Sequence, residues 1–165
     1  LNYVVITSVD RDDLDDAGSE IFAKTISQTK KLSPNIKVEV LTPDFNGIKD
    51  LLKIVIKAEP DVMNHNIETV RRVFKKVRPK GDYDLSMDFL SNSKSINPNL
   101  PTKSGMMVGL GETKEEIIQT MQDLLDNNVD LLTIGQYLRP SKKHHPIIKF
   151  YNPKEFSRFC ISRIF

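Results

Sequence analysis

Five short β-branched runs, each followed by a stretch of helical spacing, constrain this chain more than any other feature of its sequence. Residues 3–7, 37–41, 61–65, 102–107 and 131–135 read as strands. Ile21, Phe22, Ile26 and Leu32 keep helical spacing, as do Leu51, Leu52, Val55 and Ile56, then Val70, Val73, Phe74 and Val77, then Ile117, Met121, Leu124 and Leu125. Residues 84–96 predict a further helix. Thr69, the Thr113 and Glu116 pair of a capping box, and Asn152 ahead of Pro153 mark helix starts. Strand starts fall about 24 to 41 residues apart, the size of a βα unit rather than a hairpin. Strict strand-then-helix order implies parallel strands, because each return to the same edge needs a crossover. The expected fold is α/β, either an open sheet or part of a (β/α) barrel.

At 39% apolar and 28% charged, the 165 residues suit one soluble domain spanning 1–165 and exclude collagen, coiled-coil arrays and disordered tails. No apolar run approaches the roughly 18 residues of a membrane span, and Leu1 to Thr7 carry neither basic flank nor cleavage site, so no membrane association is expected. With 24 basic against 22 acidic side chains, the net charge of +2 makes no case for nucleic acid. The single cysteine, Cys160, excludes an internal disulfide and any all-cysteine metal cluster held by this chain alone. It shares an apolar helical stripe with Phe156, Phe159 and Ile164 and reads as a small buried hydrophobe rather than a nucleophile.

In both parallel architectures ligands sit at the C-terminal ends of the strands, so the residues just after each strand carry the chemistry. Those loops are polar and specific: Thr7-Ser-Val-Asp-Arg-Asp-Asp13, Thr42-Pro-Asp-Phe45, Asn64-His-Asn-Ile-Glu-Thr69, Val108-Gly-Leu-Gly-Glu-Thr113 and Gln136-Tyr-Leu-Arg-Pro-Ser141. Their counterparts at the other end, such as Leu32-Ser-Pro-Asn35 and Asn97-Pro-Asn99, are ordinary turns. Asn64 and Asn66 share one face of the third strand's end and His65 takes the other, so one face offers amides to hydroxyl, carboxylate or amide groups of a ligand. A lone strand histidine reads as a satisfied core residue, and His65 is assigned no metal.

Thr7-Ser-Val-Asp-Arg-Asp-Asp-Leu14, Glu39-Val-Leu-Thr-Pro-Asp-Phe45, Asn64-His-Asn-Ile-Glu-Thr-Val70, Lys103-Ser-Gly-Met-Met-Val-Gly-Leu-Gly-Glu112 and Leu132-Thr-Ile-Gly-Gln-Tyr-Leu138 together resemble lipoyl synthase, a radical S-adenosylmethionine family. The likeness runs from Leu1 to about Phe156, with the motifs in the family's order and spacing. It implies a six-stranded (β/α) partial barrel in which the five strands here are the second to sixth. It implies insertion of two sulfur atoms into an octanoyl chain carried on a lysine of a lipoyl carrier domain or H protein. In the family one [4Fe-4S] cluster, held by a C-x3-C-x2-C loop, cleaves S-adenosylmethionine to a 5′-deoxyadenosyl radical, with electrons from a donor such as ferredoxin or flavodoxin. A second [4Fe-4S] cluster supplies the sulfur. The cysteines for both clusters are missing here, and the family places them before this sequence begins; a serine ligand of the second lies beyond where it ends. The expectation is a truncated chain, inactive alone, that assigns no catalytic residue and no metal ligand. The family works in bacterial cytoplasm, mitochondria and plastids.

The resemblance assigns cofactor roles to specific positions. Gly105, Met107, Gly109 and Glu112 match the superfamily's G-x-I-x-G-x-x-E pattern, with Met107 replacing the isoleucine that packs on adenine. Glycines there let backbone approach a flat ring, and the competing reading is a tight turn capped by Thr113. Thr7, Ser8, Asp10 and Arg11 fall where the family holds the methionyl part, a zwitterion that a mixed-charge loop can satisfy, whereas Asp12, Asp13, Asp15 and Asp16 also fit a solvated turn before a helix. Asn64, Asn66, Gln136 and Tyr137 complete the expected cofactor set, with Asn64 also available to substrate. Arg139, Ser141, Lys142 and Lys143 lie beside the last strand, where an acidic carrier would dock. His144 and His145 lack a metal spacing, and the cations Arg71, Arg72, Lys75, Lys76, Arg78 and Lys80 read as a solvated helix face. Two other functions fit the sequence: an inactive barrel that binds cofactor or carrier, and a generic (β/α) enzyme with an anionic ligand at its strand ends.

Overall fold

Alternation within the strands sends successive side chains to opposite faces of the sheet, so one set of positions packs on the helices while the other stays open. A computed structural model describes the backbone of residues 1–161 and the side chains of 1–159, so the expected burial of Cys160 beside Ile164 lies outside the described residues. The strands are β1 (Tyr3–Thr7), β2 (Lys37–Leu41), β3 (Val62–Asn64), β4 (Thr102–Val108) and β5 (Leu131–Gln136). They lie side by side in chain order, and every neighbouring pair is parallel. The sheet is not closed.

The helices are α1 (Ser19–Leu32), α2 (Lys49–Lys57), α3 (Arg71–Val77), α4 (Tyr83–Ile96), α5 (Lys114–Asp126) and α6 (Pro153–Ile161). Val38, Val40, Met63, Met106 and Val108 face them and are buried, and these side chains with Phe22, Ile26, Leu52, Phe74, Leu90 and Ile117 form one core. Phe22, Phe45, Phe89 and His65 stack in series through that core, with ring centroids 6.3, 6.0 and 4.9 Å apart. Among the described residues no helix covers the opposite face: Tyr3, Val5 and Leu131 there are 45%, 52% and 50% exposed. Register sets Asn64 beside Lys103 and Gly105 beside Thr133 on this open face.

Helix ends follow their local chemistry, with one correction. Thr113 Oγ1 accepts from Glu116 N while Glu116 Oε2 accepts from Thr113 N, so α5 starts with the expected capping box. Asn152 Oδ1 accepts from the amides of Lys154 and Glu155 at the start of α6. Thr69, however, does not cap α3. Its amide bonds Ile67 O after a left-handed Glu68 (φ 65°), which turns Thr69 into the core with its hydroxyl unpartnered, and Val70 takes the cap position without a side-chain bond.

Candidate functional site

Two clefts lie at the C-terminal ends of the strands. The larger, of about 630 Å³, is lined by Met107 from β4, Tyr137 just after β5, Glu68 from the β3–α3 loop, Arg78 after α3, and Lys143. Glu68 is fastened there by its backbone, which pairs with β4: its amide donates to Gly105 O at 3.0 Å and its carbonyl accepts from Met107 N at 2.7 Å. Burial pushes the Glu68 carboxyl above its usual value, and Arg78 and Asn66 only partly oppose the rise. Tyr137 is buried, and its hydroxyl donates to His145 O at 2.9 Å, which fixes its ring against the cleft. An apolar thioether, an aromatic ring and a carboxyl therefore converge on one concavity, as a ligand with a flat ring and hydroxyls requires.

The smaller cleft, of about 80 Å³, brings Asp10 and Arg11 together with Asp44, Asn46, Arg78 and Lys80. Arg11 uses its guanidinium on Asp13, with Nε and Nη2 at 2.7 and 2.6 Å from the two carboxylate oxygens. Arg78 lines both clefts and is the cation they share, a role the sequence did not single out from the basic run around it. Thr7 and Ser8 are exposed at the end of the edge strand, where Ser8 Oγ donates to Val9 O at 2.9 Å.

The loop after β4 is built differently from the expectation. A Cβ on Gly105 would lie 2.6 Å from Asn66 Oδ1, so the space above Gly105 is filled by this chain's own amide. Gly109 has φ 106°, and a Cβ there would meet Gln136 Nε2 at 2.4 Å and the Lys149 carbonyl at 2.5 Å. Glu112 is buried with its carboxylate turned onto its own loop, accepting from Gly109 N, Leu110 N and the Tyr151 hydroxyl at 2.7, 2.8 and 2.9 Å. Gln136 is likewise committed: Nε2 donates to the Tyr137 and Lys149 carbonyls, and Oε1 accepts from Tyr151 N. Glu112 and Gln136 thus clamp the segment 147–151 over the β4 loop, which supports Met107 from outside the cleft.

On β3 the structure separates the neighbours as alternation requires. His65 faces the helices, where burial depresses its proton affinity; Nδ1–H donates to Thr42 O at 2.9 Å, and Nε2 lies 3.1 Å from Ser86 Oγ, which itself donates to Asp82 O. Asn64 lies on the open face and donates Nδ2 to Glu39 Oε1 at 2.7 Å. Glu39 also takes the Tyr3 hydroxyl and the Lys103 ammonium. Burial raises the Glu39 carboxyl, but the hydrogen bonds from Tyr3, Lys103 and Asn64 outweigh it and leave it below its usual value. Glu39 and Lys103 were missed as site residues, although charged residues at alternate positions of apolar strands were there to be read.

The basic stretches divide by face. Arg71 binds Asp84 through Nη1 at 2.7 Å and covers the Tyr83 ring, and Arg72 binds Glu116 at 2.6 Å, so this part is an ion-paired surface. Lys76 and Arg78 turn into the larger cleft. After β5, Arg139 folds back to the Lys142 and His144 carbonyls and Ser141 bonds His144, so both shape their own loop, whereas Lys142 and Lys143 are exposed.

Residues 1–124 match the family model for the radical SAM superfamily. The chain belongs to the radical SAM superfamily. Lipoyl synthases of Bacillus cereus (strain G9842) and Bacillus anthracis (strain A0248) are each 52% identical to it over 157 residues. That match covers 95% of this chain and 53% of theirs, so the chain spans about half the length of the curated relatives it matches. The likeness to lipoyl synthase carried by the strand-end motifs holds across the whole aligned stretch. The crystal structure of methylornithine synthase has the same fold over 92% of this chain and 43% of its own, with a TM-score of 0.68 at 15% identity. An unclosed five-stranded parallel sheet in a radical SAM chain is a partial (β/α) barrel, and its open face is the lumen.

Proposed function

We propose that this chain is the cofactor- and substrate-binding wall of a lipoyl synthase, which inserts two sulfur atoms into a carrier-bound octanoyl chain. The convergence of Met107, Tyr137 and Glu68 on one cleft at the strand ends carries this reading. Its size, apolar lining and single carboxyl fit the adenosine part of S-adenosylmethionine, with Met107 and Tyr137 against the ring and Glu68 accepting from ribose hydroxyls. Asp10 and Arg78 in the adjoining cleft, which Arg11 also lines, suit the ammonium and carboxylate of the methionyl part, and Thr7 and Ser8 precede Asp10 in the same loop. Gly105 and Asn66 set the wall beside Met107; Gly109, Glu112 and Gln136 hold the loop behind it. Lys142 and Lys143 stand at the rim, where the octanoylated lipoyl carrier domain or H protein would approach.

S-adenosylmethionine, when bound, supplies the radical chemistry of the superfamily; the residues here bind, orient and shield it. The [4Fe-4S] clusters do not fit this chain alone. It contains one cysteine, and no group of three or more His, Cys, Asp or Glu side chains among the described residues could hold a metal. The full-length protein, reconstituted anaerobically and given an octanoyl-lysyl peptide, is expected to yield 5′-deoxyadenosine and lipoyl peptide together. 5′-Deoxyadenosine without any sulfur insertion would contradict the lipoyl synthase reading while leaving the superfamily intact.

A further inference from the structure

The open face carries a buried cluster around Asn64 whose charged members, Glu39 and Lys103, have no role in the cofactor reading. Glu39 is 2% exposed, and its two oxygens take the Tyr3 hydroxyl, the Lys103 ammonium at 2.9 and 3.2 Å, and Asn64 Nδ2 at 2.7 Å. An ionised carboxylate only accepts, so the atom of Asn64 that faces it is the amide nitrogen, and Lys103 beside the pair favours the ionised form. Asn64 therefore cannot flip without setting its oxygen against a carboxylate. Its Oδ1 is left buried with no partner among the described residues, in a side chain only 5% exposed. A buried amide oxygen held unpaired is unfavourable until a donor reaches it, and this open face is where a ligand can bring one.

We infer that Glu39 is a positioning residue: it locks Asn64 as an acceptor, so that Oδ1 receives an N–H or O–H donor of a ligand in the barrel lumen. This rests on the lipoyl synthase reading, in which two sources carry such donors: the amide N–H that joins the octanoyl chain to its lysine, and the hydroxyls or ammonium of S-adenosylmethionine. A ligand carboxylate is excluded at this atom, because both groups would be acceptors.

The test measures affinities by calorimetry on the full-length, anaerobically reconstituted protein with three probes. These are an octanoyl-lysyl peptide, its ester analogue with oxygen in place of the N–H, and S-adenosylmethionine. If the substrate is the source, the wild type prefers amide over ester by roughly 3- to 10-fold, as one hydrogen bond allows. Glu39→Gln offers its own NH2 to Asn64 Oδ1 and should bring that ratio close to one, with the melting temperature and S-adenosylmethionine affinity kept. Asn64→Ala, which leaves Glu39 paired with Lys103 and Tyr3, should do the same. If the cofactor is the source, both variants instead lose a similar factor in S-adenosylmethionine affinity. Variants that bind all three probes as the wild type does, or that show only a lower melting temperature, overturn the inference. A wild type that binds S-adenosylmethionine but no octanoyl peptide overturns the lipoyl synthase reading, and the cofactor arm then decides the role of Glu39.

Discussion

Glu112 and Asp61 carry the clearest consequences at the scale of single residues. Glu112 is the buried acceptor for two amides of the β4 loop and for the Tyr151 hydroxyl. Burial and the hydrogen bond to Glu112 hold the Tyr151 phenol well above its usual value, so Tyr151 stays a neutral hydrogen-bond donor through the physiological range. Glu112→Ala orphans all three donors and should cost about 2 kcal/mol in a urea titration of the full-length protein. Asp61 lies at the opposite end of the sheet. Burial raises its carboxyl, but Lys37, the Val38 amide and Lys30 overcome this and bring it down to about 2. A carboxyl lowered on folding adds stability above its unfolded value near 4, and that stability is lost as pH falls through about 2. Asp61→Asn should therefore cost about 1 kcal/mol at pH 7, allowing for solvent screening, and the deficit should narrow between pH 4 and 2 without any change in cofactor affinity.

Elements show how far a sequence of this kind can be read. All five strands were legible, because β-branched and apolar runs recur at the spacing of a βα unit. The capping box of α5 was legible because both its partners are local. Thr69 was misread because the cap geometry is decided by Glu68 in a left-handed conformation, which depends on pairing with β4 nearly 40 residues on. The β4 loop fails to match its expectation for a similar reason: the groups that fill the space over Gly109 come from Gln136 and Lys149, which no local pattern announces. Gly109→Val would therefore break this loop and is no clean probe of a ring-binding surface. The loop after β5 gives a cleaner test. Lys142 and Lys143 are exposed, while Arg139 is occupied by carbonyls of its own loop. Replacing Lys142, which stands outside the larger cleft, with alanine should slow carrier association by roughly 2-fold at low salt, converge with the wild type at high salt, and leave 5′-deoxyadenosine formation intact. Stopped-flow association across a salt series checks it; a salt-independent loss would place the docking surface elsewhere.

The described residues form a parallel sheet with one face packed on helices and the other left open. Fold class followed from the sequence because the core obeys periodicity. Asn64, Asn66, Met107 and Tyr137 lie at or just after strand ends, where the strand pattern puts them, whereas Arg78, Glu39 and Lys103 reach the clefts and the open face through contacts between elements that no local pattern announces. In the proposed function the cleft between Met107, Glu68 and Tyr137 holds the adenosine part of S-adenosylmethionine. Met107→Asp sets a second carboxyl beside Glu68 in place of an apolar surface, whereas Met107→Leu keeps the volume and the apolar character. The deciding measurement is 5′-deoxyadenosine formed by the full-length, reconstituted protein and by these two variants, with cluster content and melting temperature matched. The account predicts a loss of at least about 100-fold for Met107→Asp, on the order of the cost of desolvating an unpaired carboxylate against the ring, and near-parent rates for Met107→Leu. Met107→Asp forming 5′-deoxyadenosine at the parent rate would contradict the assignment of this cleft.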